Sequence, residues 1–458
     1  MNFKTLLEKK EKTMHSKRYD VIIIGGGPAG STAATLLTRR GLKCILFEKE
    51  LFPRPHVGES LLPFCYDLLK EIGVLKEVQA TSFPKPGARF LNADGQEFSN
   101  YCFSKYIEGP AAISSHVDRA VFDKILLDNS KKEGAEVLES TKVKDVIFEN
   151  EGVSVTVERE ERLETYKGAF LIDATGQQSF LANRFKEKKK IENLERTALS
   201  AHWKGANAVD GLEEGIQQIV YLGGEKKGWI WCIPISGNRM SLGVVLDSQY
   251  VKKQKSTFAN PEEWQVELYK KELNSSSFVK ELIKSADLCT PVLLSGNYSY
   301  KVGKKWGDRY AMIGDSGTFI DPIFATGVFL ALKSAFLVSK TIADHLRSNS
   351  LHEGLEQTYT SINGAYALIE RLIRQYYNPV TINFYEINGH FEKTDSAIGL
   401  MHHILAGDFF DKYEVYDTFL TKLENEKNFA RYKNLVYDRE ELSQLRCKGI
   451  KHKKESIK

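Results

Sequence analysis

A strand, a glycine-rich turn, a helix and a second strand follow one another near the start of the chain. The run from Tyr19 to Ile24 is rich in β-branched residues without alternation, which is typical of a strand buried on both faces of a parallel sheet. Pro28 to Arg40 predicts a helix that ends at Gly41, and Lys43 to Glu48 predicts the second strand. This β-α-β order predicts an α/β fold.

The turn between the first strand and the helix has the spacing GxGxxG. Its three glycines are Gly25, Gly27 and Gly30, and Ala29 precedes the last of them. These positions allow a tight turn, a close approach of the backbone to a pyrophosphate, and close packing of the helix on the strand. The phosphates would bind at the helix N-terminus. Glu48, about 20 residues further on, is placed to accept hydrogen bonds from a ribose, so the unit predicts a dinucleotide site.

Composition excludes several other classes of protein. The chain has 64 Lys and Arg against 60 Asp and Glu, a net charge of +4, which provides no basic face for nucleic acid. No uncharged apolar run approaches the ~18 residues of a membrane helix, and the charged N-terminus lacks the apolar core of a signal peptide. The cysteines lie far apart and form no Cys/His cluster with metal-ligand spacing. We therefore expect a cytoplasmic protein without a membrane span or a metal site.

The remainder of the chain divides into sheet-rich and helix-rich parts. Val153–Val157 alternates strictly and predicts a half-buried strand, and residues 60–73 have apolar side chains at helical spacing. Helical spacing returns after Ser334. We expect a mobile extension over residues 1–17, with Met14 as an alternative start. A dinucleotide-binding domain over 18–345 is interrupted by an antiparallel sheet, at about 85–115 and 195–300, and a helical C-terminal part with a basic tail spans 346–458.

Further motifs give the chain a resemblance to a known family. Gly314 and Asp315 follow a predicted strand, Asp173 begins the segment Asp-Ala-Thr-Gly, and Arg119 lies in the segment Asp-Arg-Ala-Val-Phe-Asp. These segments resemble FAD-dependent monooxygenases and halogenases. The resemblance implies that the dinucleotide is FAD, that Gly314 and Asp315 lie against its ribityl chain, and that Arg119 contacts the flavin. The alternatives are a polar turn residue at Asp315 and a surface salt bridge at Arg119.

Two segments narrow the resemblance to flavin-dependent halogenases. Residues 229–234 have the family pattern WxWxIP, and residues 52–63 are similar to the stretch that covers the flavin. Strand alternation places Trp229 and Trp231 on one face. The resemblance implies that both indoles lie beside the flavin and keep the organic substrate away from it; the alternative is a pair of core aromatic residues.

The same resemblance implies a catalytic lysine. Lys85 occupies the corresponding position, between Pro84 and Pro86, which restrict the backbone on both sides. A lysine that transfers an electrophilic halogen needs a defined position. The alternative is an ordinary solvated lysine.

A halide site is implied by the segment from Asp321 to Gly327. It is similar to the family segment whose backbone amides bind chloride, which implies Thr326 and Gly327 as the halide ligands. The alternative is a helix start that only covers the flavin. Phe324 stands where the tryptophan-acting members carry a carboxylate. This difference favours a phenol- or pyrrole-type ring over indole.

The predicted fold is therefore α/β: a Rossmann-type FAD-binding fold of the flavin monooxygenase kind, with an inserted antiparallel sheet and a helical C-terminal part. By resemblance, a separate flavin reductase supplies reduced FAD, and dioxygen and chloride or bromide give hypohalous acid. Lys85 then presents halogen to an electron-rich aromatic substrate, which is either free or bound to a carrier protein. The lysine can do this by hydrogen-bonding hypohalous acid or by forming a haloamine.

Other functions remain open at the level of the sequence. The first alternative is an FAD-dependent oxidoreductase without halide chemistry, either an aromatic hydroxylase or an isoprenoid double-bond reductase. The second is a flavin-binding protein without catalysis. The aromatic residues near the C-terminus either line the pocket or pack in the core, and packing is favoured; they are Tyr366, Tyr376, Tyr377, Phe384 and Tyr385.

Overall fold

The structure, a computed structural model, describes residues 12–378 and 397–423, except 97, 208–209, 261, 297, 347, 349 and 411. The strands are β1 (Lys12–Ile24), β2 (Cys44–Phe47), β3 (Phe83–Lys85), β4 (Gly87–Leu91), β5 (Phe98–Cys102), β6 (Ser114–His116), β7 (Glu136–Leu138), β8 (Lys142–Glu149), β9 (Gly152–Arg159), β10 (Arg162–Asp173), β11 (Lys188–Lys190), β12 (Arg196–Lys204), β13 (Gln217–Leu222), β14 (Gly228–Ile235), β15 (Arg239–Asp247), β16 (Asp287–Leu288), β17 (Leu293–Gly296), β18 (Tyr300–Val302), β19 (Trp306–Gly307), β20 (Tyr310–Met312) and β21 (Thr318–Phe319). The helices are α1 (Pro28–Arg39), α2 (Cys65–Glu71), α3 (Leu75–Thr81), α4 (Arg119–Lys132), α5 (Phe180–Phe185), α6 (Ser248–Lys255), α7 (Trp264–Leu273), α8 (Ser277–Leu282), α9 (Gly327–His345), α10 (Leu351–Tyr376), α11 (Ala397–Ala406) and α12 (Tyr413–Leu423).

A parallel sheet lies at the centre of the dinucleotide-binding domain. Its strands β20, β10, β1, β2 and β7 are adjacent and parallel, with β19 antiparallel at one edge. The register places Ile24 opposite Phe47 on one side and Asp173 on the other. The carboxyl ends of three strands therefore meet at one edge, which is where open α/β sheets bind ligands.

The predicted β-α-β unit is present, but two boundaries differ from the sequence prediction. β1 begins at Lys12, so residues 12–17 belong to the sheet rather than to a mobile extension; residues 1–11 and the basic tail lie outside the described residues. The predicted helix over residues 60–73 begins only at Cys65. Ser60 instead forms a β-bridge with His116, because backbone partners from β6 compete with the helical hydrogen bonds here.

A second sheet corresponds to the predicted antiparallel insertion. Its order is β16-β12-β15-β14-β13-β4-β5, and β17 also pairs with β12. The pairs are antiparallel except β4 with β13, which is parallel. Alternation sends Ile230 and Cys232 to an outer core with α7 and α8, while Trp229 and Trp231 join the core shared with the parallel sheet. This inner face borders the predicted flavin site.

The strand predicted at Val153–Val157 is β9, but it is buried on both faces. The valines pack in a core with β8 and β10, while Ser154 and Thr156 are each only 8% exposed. Thr156 lies opposite Thr165 of β10, and their hydroxyls are 3.3 Å apart. Alternation alone cannot distinguish a solvated polar face from one covered by its neighbours.

The predicted C-terminal part is helical in its described residues, and its helices pack on the dinucleotide-binding domain. α9 contacts both α1 and α10, and α10 contacts α12. In the described part of the chain, no helix combines the length and apolarity needed to cross a membrane.

Candidate active site

The glycine-rich turn lies where the carboxyl ends of β1, β2 and β10 meet. Gly25 has a φ of +102°, and a Cβ there would lie 2.4 Å from the carbonyl oxygen of Ala174. A Cβ at Gly30 would lie 1.9 Å from the carbonyl oxygen of Gly25. Both positions exclude any side chain, so the turn and α1 can pack closely on the sheet. Ala29 is buried beside them.

The N-terminus of α1 fits the pyrophosphate of a dinucleotide. Gly27 is the N-cap, no side chain caps the helix, and Pro28 provides no amide hydrogen. A Cβ at Gly27 would meet only the Nη2 atom of Arg54, at 3.6 Å. The backbone is therefore open to an anion at this helix end, where the helix dipole favours one.

Glu48 is in the predicted place but also has a structural role. Its Oε2 accepts a hydrogen bond from the Gly26 amide at 2.7 Å, and its Oε1 accepts one from the Glu50 amide at 2.9 Å. The carboxylate therefore holds the glycine-rich turn in position. Each oxygen keeps a further lone pair for a ribose hydroxyl.

Arg119 is buried rather than part of a surface salt bridge. Its guanidinium donates to both oxygens of Asp123, at 2.8 and 2.9 Å, and to the carbonyl oxygen of Val57 at 2.8 Å. Arg54 also contacts Asp123, at 3.3 Å. This bidentate geometry fixes the guanidinium, and the bond to Val57 ties α4 to the predicted flavin cover, residues 52–63.

Gly314 and Asp315 form a second glycine-containing turn at the same edge of the sheet. Gly314 has a φ of +58°, and a Cβ there would lie 3.3 Å from the Cβ of Ala29, so this turn lies against α1. Burial raises the pKa of Asp315 to about 7, and the nearby charge of Arg119 partly opposes this. The charge of Arg119 therefore acts on the carboxyl group of Asp315, in the turn that lies against α1.

Lys85 is buried, which excludes the solvated alternative. Its Nζ donates to the carbonyl oxygen of Leu61 at 2.9 Å and lies 5.4 Å from the ring centroid of Phe103. The side chain is 1% exposed, and burial lowers its pKa to about 7. A substantial fraction of this amine is therefore neutral near pH 7.

His116 is a neighbour of Lys85 that the sequence analysis did not identify. Pairing of β3 with β6 places Phe83 opposite His116 and Lys85 opposite Ser114, so Lys85 and His116 share a face. The ring nitrogen Nε2 lies 2.8 Å from the carbonyl oxygen of Gly215 and must donate to it, while the buried Nδ1 has no partner among the described residues. Burial and the charge of Lys85 lower the pKa of His116 to about 3.

The two tryptophans lie together on the inner face of β14, as alternation predicted. Their ring centroids are 5.6 Å apart. The indole N–H of Trp231 donates to the hydroxyl of Ser241 at 3.0 Å, and that hydroxyl contacts Glu59 at 3.1 Å. A Cβ at Gly243 would lie 2.1 Å from the ring of Trp231, so this glycine makes room for the indole.

Glu59 is a buried carboxylate that sequence analysis also missed as an individual residue. It contacts His202 Nε2 at 3.1 Å. Burial alone would raise its pKa, but the charge and hydrogen bond of His202 and the amide of Gly58 together lower it. Glu59 is therefore held as an anion next to Trp231.

Residues 57–61 connect the separate parts of the site. The carbonyl oxygen of Val57 binds Arg119, the side chain of Glu59 reaches Ser241 below Trp231, and the carbonyl oxygen of Leu61 binds Lys85. The extended conformation of these residues presents successive groups to different neighbours. A helix from residue 60, as the apolar spacing predicted, would have turned the carbonyl of Leu61 into an intrahelical acceptor.

The segment from Asp321 to Gly327 leads into α9. Asp321 accepts a hydrogen bond from the Ile323 amide at 3.1 Å, and Ala325 adopts a left-handed conformation with a φ of 55°. Thr326 is the N-cap of α9, and a Cβ at Gly327 would meet nothing within 4 Å. The start of this helix has space beside its backbone for a small anion.

Phe324 is buried in an aromatic cluster. Its ring centroid lies 6.2 Å from that of Phe90 on β4 and 6.2 Å from that of Tyr376 on α10. Tyr377, at the end of α10, accepts a hydrogen bond from Trp229 and donates one to Asp321. Tyr377 therefore does more than pack, whereas Tyr366 is buried in the core and Phe384 and Tyr385 lie outside the described residues.

Comparisons with known proteins show what the whole chain is similar to. The family model described as "FAD binding domain" matches residues 18–367. The chain is 31% identical to a 1H-pyrrole-2-carbonyl-[peptidyl-carrier protein] chlorinase of Pseudomonas fluorescens, over 82% of this chain and 85% of that protein. It is 30% identical to a tryptophan 2-halogenase of Chondromyces crocatus, over 88% of this chain and 74% of that protein. A solved flavin-dependent brominase superposes with a TM-score of 0.76 at 25% identity, covering 91% of this chain and 100% of that one.

Proposed function

Because this chain belongs to the flavin-dependent halogenases, we propose that it transfers chlorine or bromine to an electron-rich ring of the phenol or pyrrole type, with Lys85 as the catalytic residue. The enzyme is FAD-dependent. The single observation that carries the assignment of Lys85 is its burial with a lowered pKa at a fixed position beside the flavin-covering segment. Such perturbed groups are typical of reactive sites.

FAD would be held by residues that converge on one edge of the parallel sheet. The open N-terminus of α1 would bind the pyrophosphate, Glu48 the ribose, and Asp315 the ribityl chain, with Arg119 fixed close by. When bound in its reduced form, FAD supplies the dioxygen activation that oxidises halide. The protein's part is to position the cofactor and halide and to separate them from the organic substrate.

Lys85 would receive the oxidised halogen and direct it. The carbonyl oxygen of Leu61 engages one position on the amine, so the side chain is held in one orientation while its remaining hydrogens or its lone pair can face a ligand. Hydrogen-bonding of hypohalous acid uses the N–H groups, and haloamine formation uses the lone pair. A pKa of about 7 makes both protonation forms accessible near neutral pH.

The substrate class follows from Phe324. This buried aromatic ring fills the place that the family resemblance assigns to a catalytic carboxylate in tryptophan-acting members. A ring that is halogenated here receives no help from a carboxylate at this position, which favours a ring that is strongly activated by itself over the indole of tryptophan. A phenol or a pyrrole meets this condition, and the chlorinase relative names a carrier-bound pyrrole. We propose a separate flavin reductase as the source of reduced FAD.

The arrangement of Trp229 and Trp231 argues against a hydroxylase. A hydroxylase brings its substrate next to the flavin, but both indoles are buried and each is fixed by a hydrogen bond from its ring nitrogen. Moving them aside would leave buried hydrogen-bonding groups unpaired. This favours transfer of a small oxidant past the indoles over direct contact between flavin and substrate.

The test is mass spectrometry of products from purified enzyme supplied with FAD, a flavin reductase, NADH, dioxygen and bromide. The substrates are free phenols, free pyrroles and a pyrrole-2-carbonyl carrier protein. We expect brominated product from the wild type, none from Lys85→Ala, and undiminished product from Lys226→Ala, whose amine binds Glu272 on the outer side of the sheet. FAD binding, followed by the visible spectrum, should be equal in all three. Hydroxylated or reduced products would refute the proposal, as would full bromination by Lys85→Ala.

A further inference from the structure

The indole of Trp229 begins a hydrogen-bond chain that ends at a buried carboxylate. Its Nε1 donates to the hydroxyl of Tyr377 at 2.9 Å, and that hydroxyl donates to Oδ2 of Asp321 at 2.8 Å. Tyr298 also approaches Oδ2, at 3.2 Å. Asp321 is 0% exposed and Trp229 is 2% exposed, so no solvent replaces these contacts.

The other oxygen of Asp321 holds the segment that we name the halide loop, residues 321–327. Oδ1 accepts the hydrogen bond from the Ile323 amide and so caps the short turn that precedes Ala325 and Thr326. One carboxylate therefore binds both Tyr377 and the first turn of this loop, so its orientation affects the positions of both. Rotation of the carboxylate would disturb the indole and the loop together.

The groups around this chain act in opposite directions on its carboxylate. Burial raises the pKa of Asp321, and the hydrogen bond from Tyr377 and the charge of Arg196 only partly oppose that rise. Arg196 lies 4.1 Å from the ring centroid of Tyr377 and 3.4 Å from Asp247. Burial and the adjacent Asp321 raise the pKa of Tyr377 well above its ordinary value, so its hydroxyl remains a donor.

We propose that Tyr377 is a positioning residue that couples the indole of Trp229 to the halide loop. Tyr377 comes directly after α10, so its side chain extends the C-terminal helical part into the site, next to Tyr376, which contacts Phe324. Without its hydroxyl, Trp229 loses its acceptor and Asp321 loses a donor, both in a buried environment. The proposal rests on the proposed halogenase function, and it assigns to the C-terminal part a role in binding halide and in excluding substrate from the flavin.

Tyr377→Phe tests this coupling, and the chain provides a matched control. Tyr269 accepts from the indole nitrogen of Trp203 at 2.9 Å and donates to the carbonyl oxygen of Leu242 at 2.9 Å, in the outer core behind the sheet. Tyr269→Phe therefore removes an equivalent buried Trp–Tyr hydrogen bond away from the site. Both variants should lose thermal stability by similar amounts.

The first readout does not depend on turnover: bromide is titrated into each FAD-bound protein and followed by the visible spectrum of oxidised flavin. We expect bromide to bind Tyr377→Phe about tenfold more weakly, as for the loss of a hydrogen bond to a charged group. Binding to Tyr269→Phe should equal the wild type. The second readout is hydrogen peroxide per reduced FAD consumed, which should rise only in Tyr377→Phe because oxidant that is not captured by halide is lost.

Equal bromide affinity and equal peroxide yield in Tyr377→Phe and wild type would overturn the coupling, as would the same shifts in Tyr269→Phe. Asp321→Asn keeps a side-chain oxygen for the Ile323 amide. Its bromide affinity and peroxide yield should therefore lie between those of wild type and Tyr377→Phe, and it replaces Tyr377→Phe in the test if that variant does not fold. A wild type that binds no bromide and forms no halogenated product would instead refute the halogenase function itself. The two failures are therefore distinguishable.

Discussion

Replacing Lys85 with methionine should stabilise the protein at acidic pH and destabilise it at strongly alkaline pH. The amine is 1% exposed, and burial lowers its pKa from 10.5 to about 7. Because the folded-state pKa is below the unfolded one, the unfolded chain binds this proton more tightly. The wild type therefore carries a full stability penalty below about pH 7, and the penalty disappears as the pH rises toward 10.5.

The magnitude follows from the two pKa values. Each tenfold difference in proton affinity corresponds to about 1.4 kcal/mol, so burying the charged amine costs about 5 kcal/mol at low pH. Methionine removes this cost but leaves the carbonyl oxygen of Leu61 without its donor, a loss of about 1–3 kcal/mol. We expect Lys85→Met to be more stable than the wild type by about 2–4 kcal/mol at acidic pH and less stable by about 1–3 kcal/mol at strongly alkaline pH.

The assay is urea unfolding of both proteins with saturating FAD at about pH 6, 7.5 and 9, a range over which the stability advantage of Lys85→Met should fall by about 3 kcal/mol, on the way to its reversal at higher pH. Lys226→Met controls for the loss of one lysine, since its amine binds Glu272 at 2.7 Å away from the site. A stability difference between Lys85→Met and wild type that stays constant with pH would refute the reasoning. It would mean that Lys85 titrates as an ordinary solvated lysine, and the catalytic assignment would lose its physical basis.

Two further substitutions test the backbone of the site. Gly30→Ala places a Cβ 1.9 Å from the carbonyl oxygen of Gly25, so the turn must open; we expect loss of FAD binding by flavin absorbance after gel filtration, and tight binding would contradict the role of this turn. Gly243→Ala places a Cβ 2.1 Å from the ring of Trp231 and should displace the indole. We expect a higher ratio of hydrogen peroxide to halogenated product, with FAD binding retained; an unchanged ratio would show that the position of this indole does not matter.

The β-α-β unit was predictable because its signals are local. Three glycines at fixed spacing, an uninterrupted β-branched run and a helix of small residues each restrict the backbone within a few positions. The face shared by Trp229 and Trp231 was predictable for the same reason, since alternation in a strand has a fixed period of two. The family resemblance then supplied FAD and the halogenase activity.

Other features depended on partners distant in sequence. Residues 60–64 belong to the predicted helix, but Ser60 forms a β-bridge with His116 and the helix begins only at Cys65. Ser154 and Thr156 of β9 are buried because their side chains contact neighbouring strands, at Glu149 of β8 and Thr165 of β10. At Ser60 backbone pairing outweighed a weak local preference, because each buried N–H and C=O group requires a partner; on β9 the side chains of adjacent strands remove the polar face from solvent.

The sequence by itself predicted which residues would carry the chemistry: the glycine-rich turn, Asp315, Lys85 and the two tryptophans. Only the tertiary structure decided how they act. The burial that lowers the pKa of Lys85 comes from packing around it, and the contact of Trp229 with Tyr377 joins residues that are 148 positions apart. Local sequence fixes backbone geometry over a few residues, whereas desolvation and long-range hydrogen bonds exist only after the chain has folded.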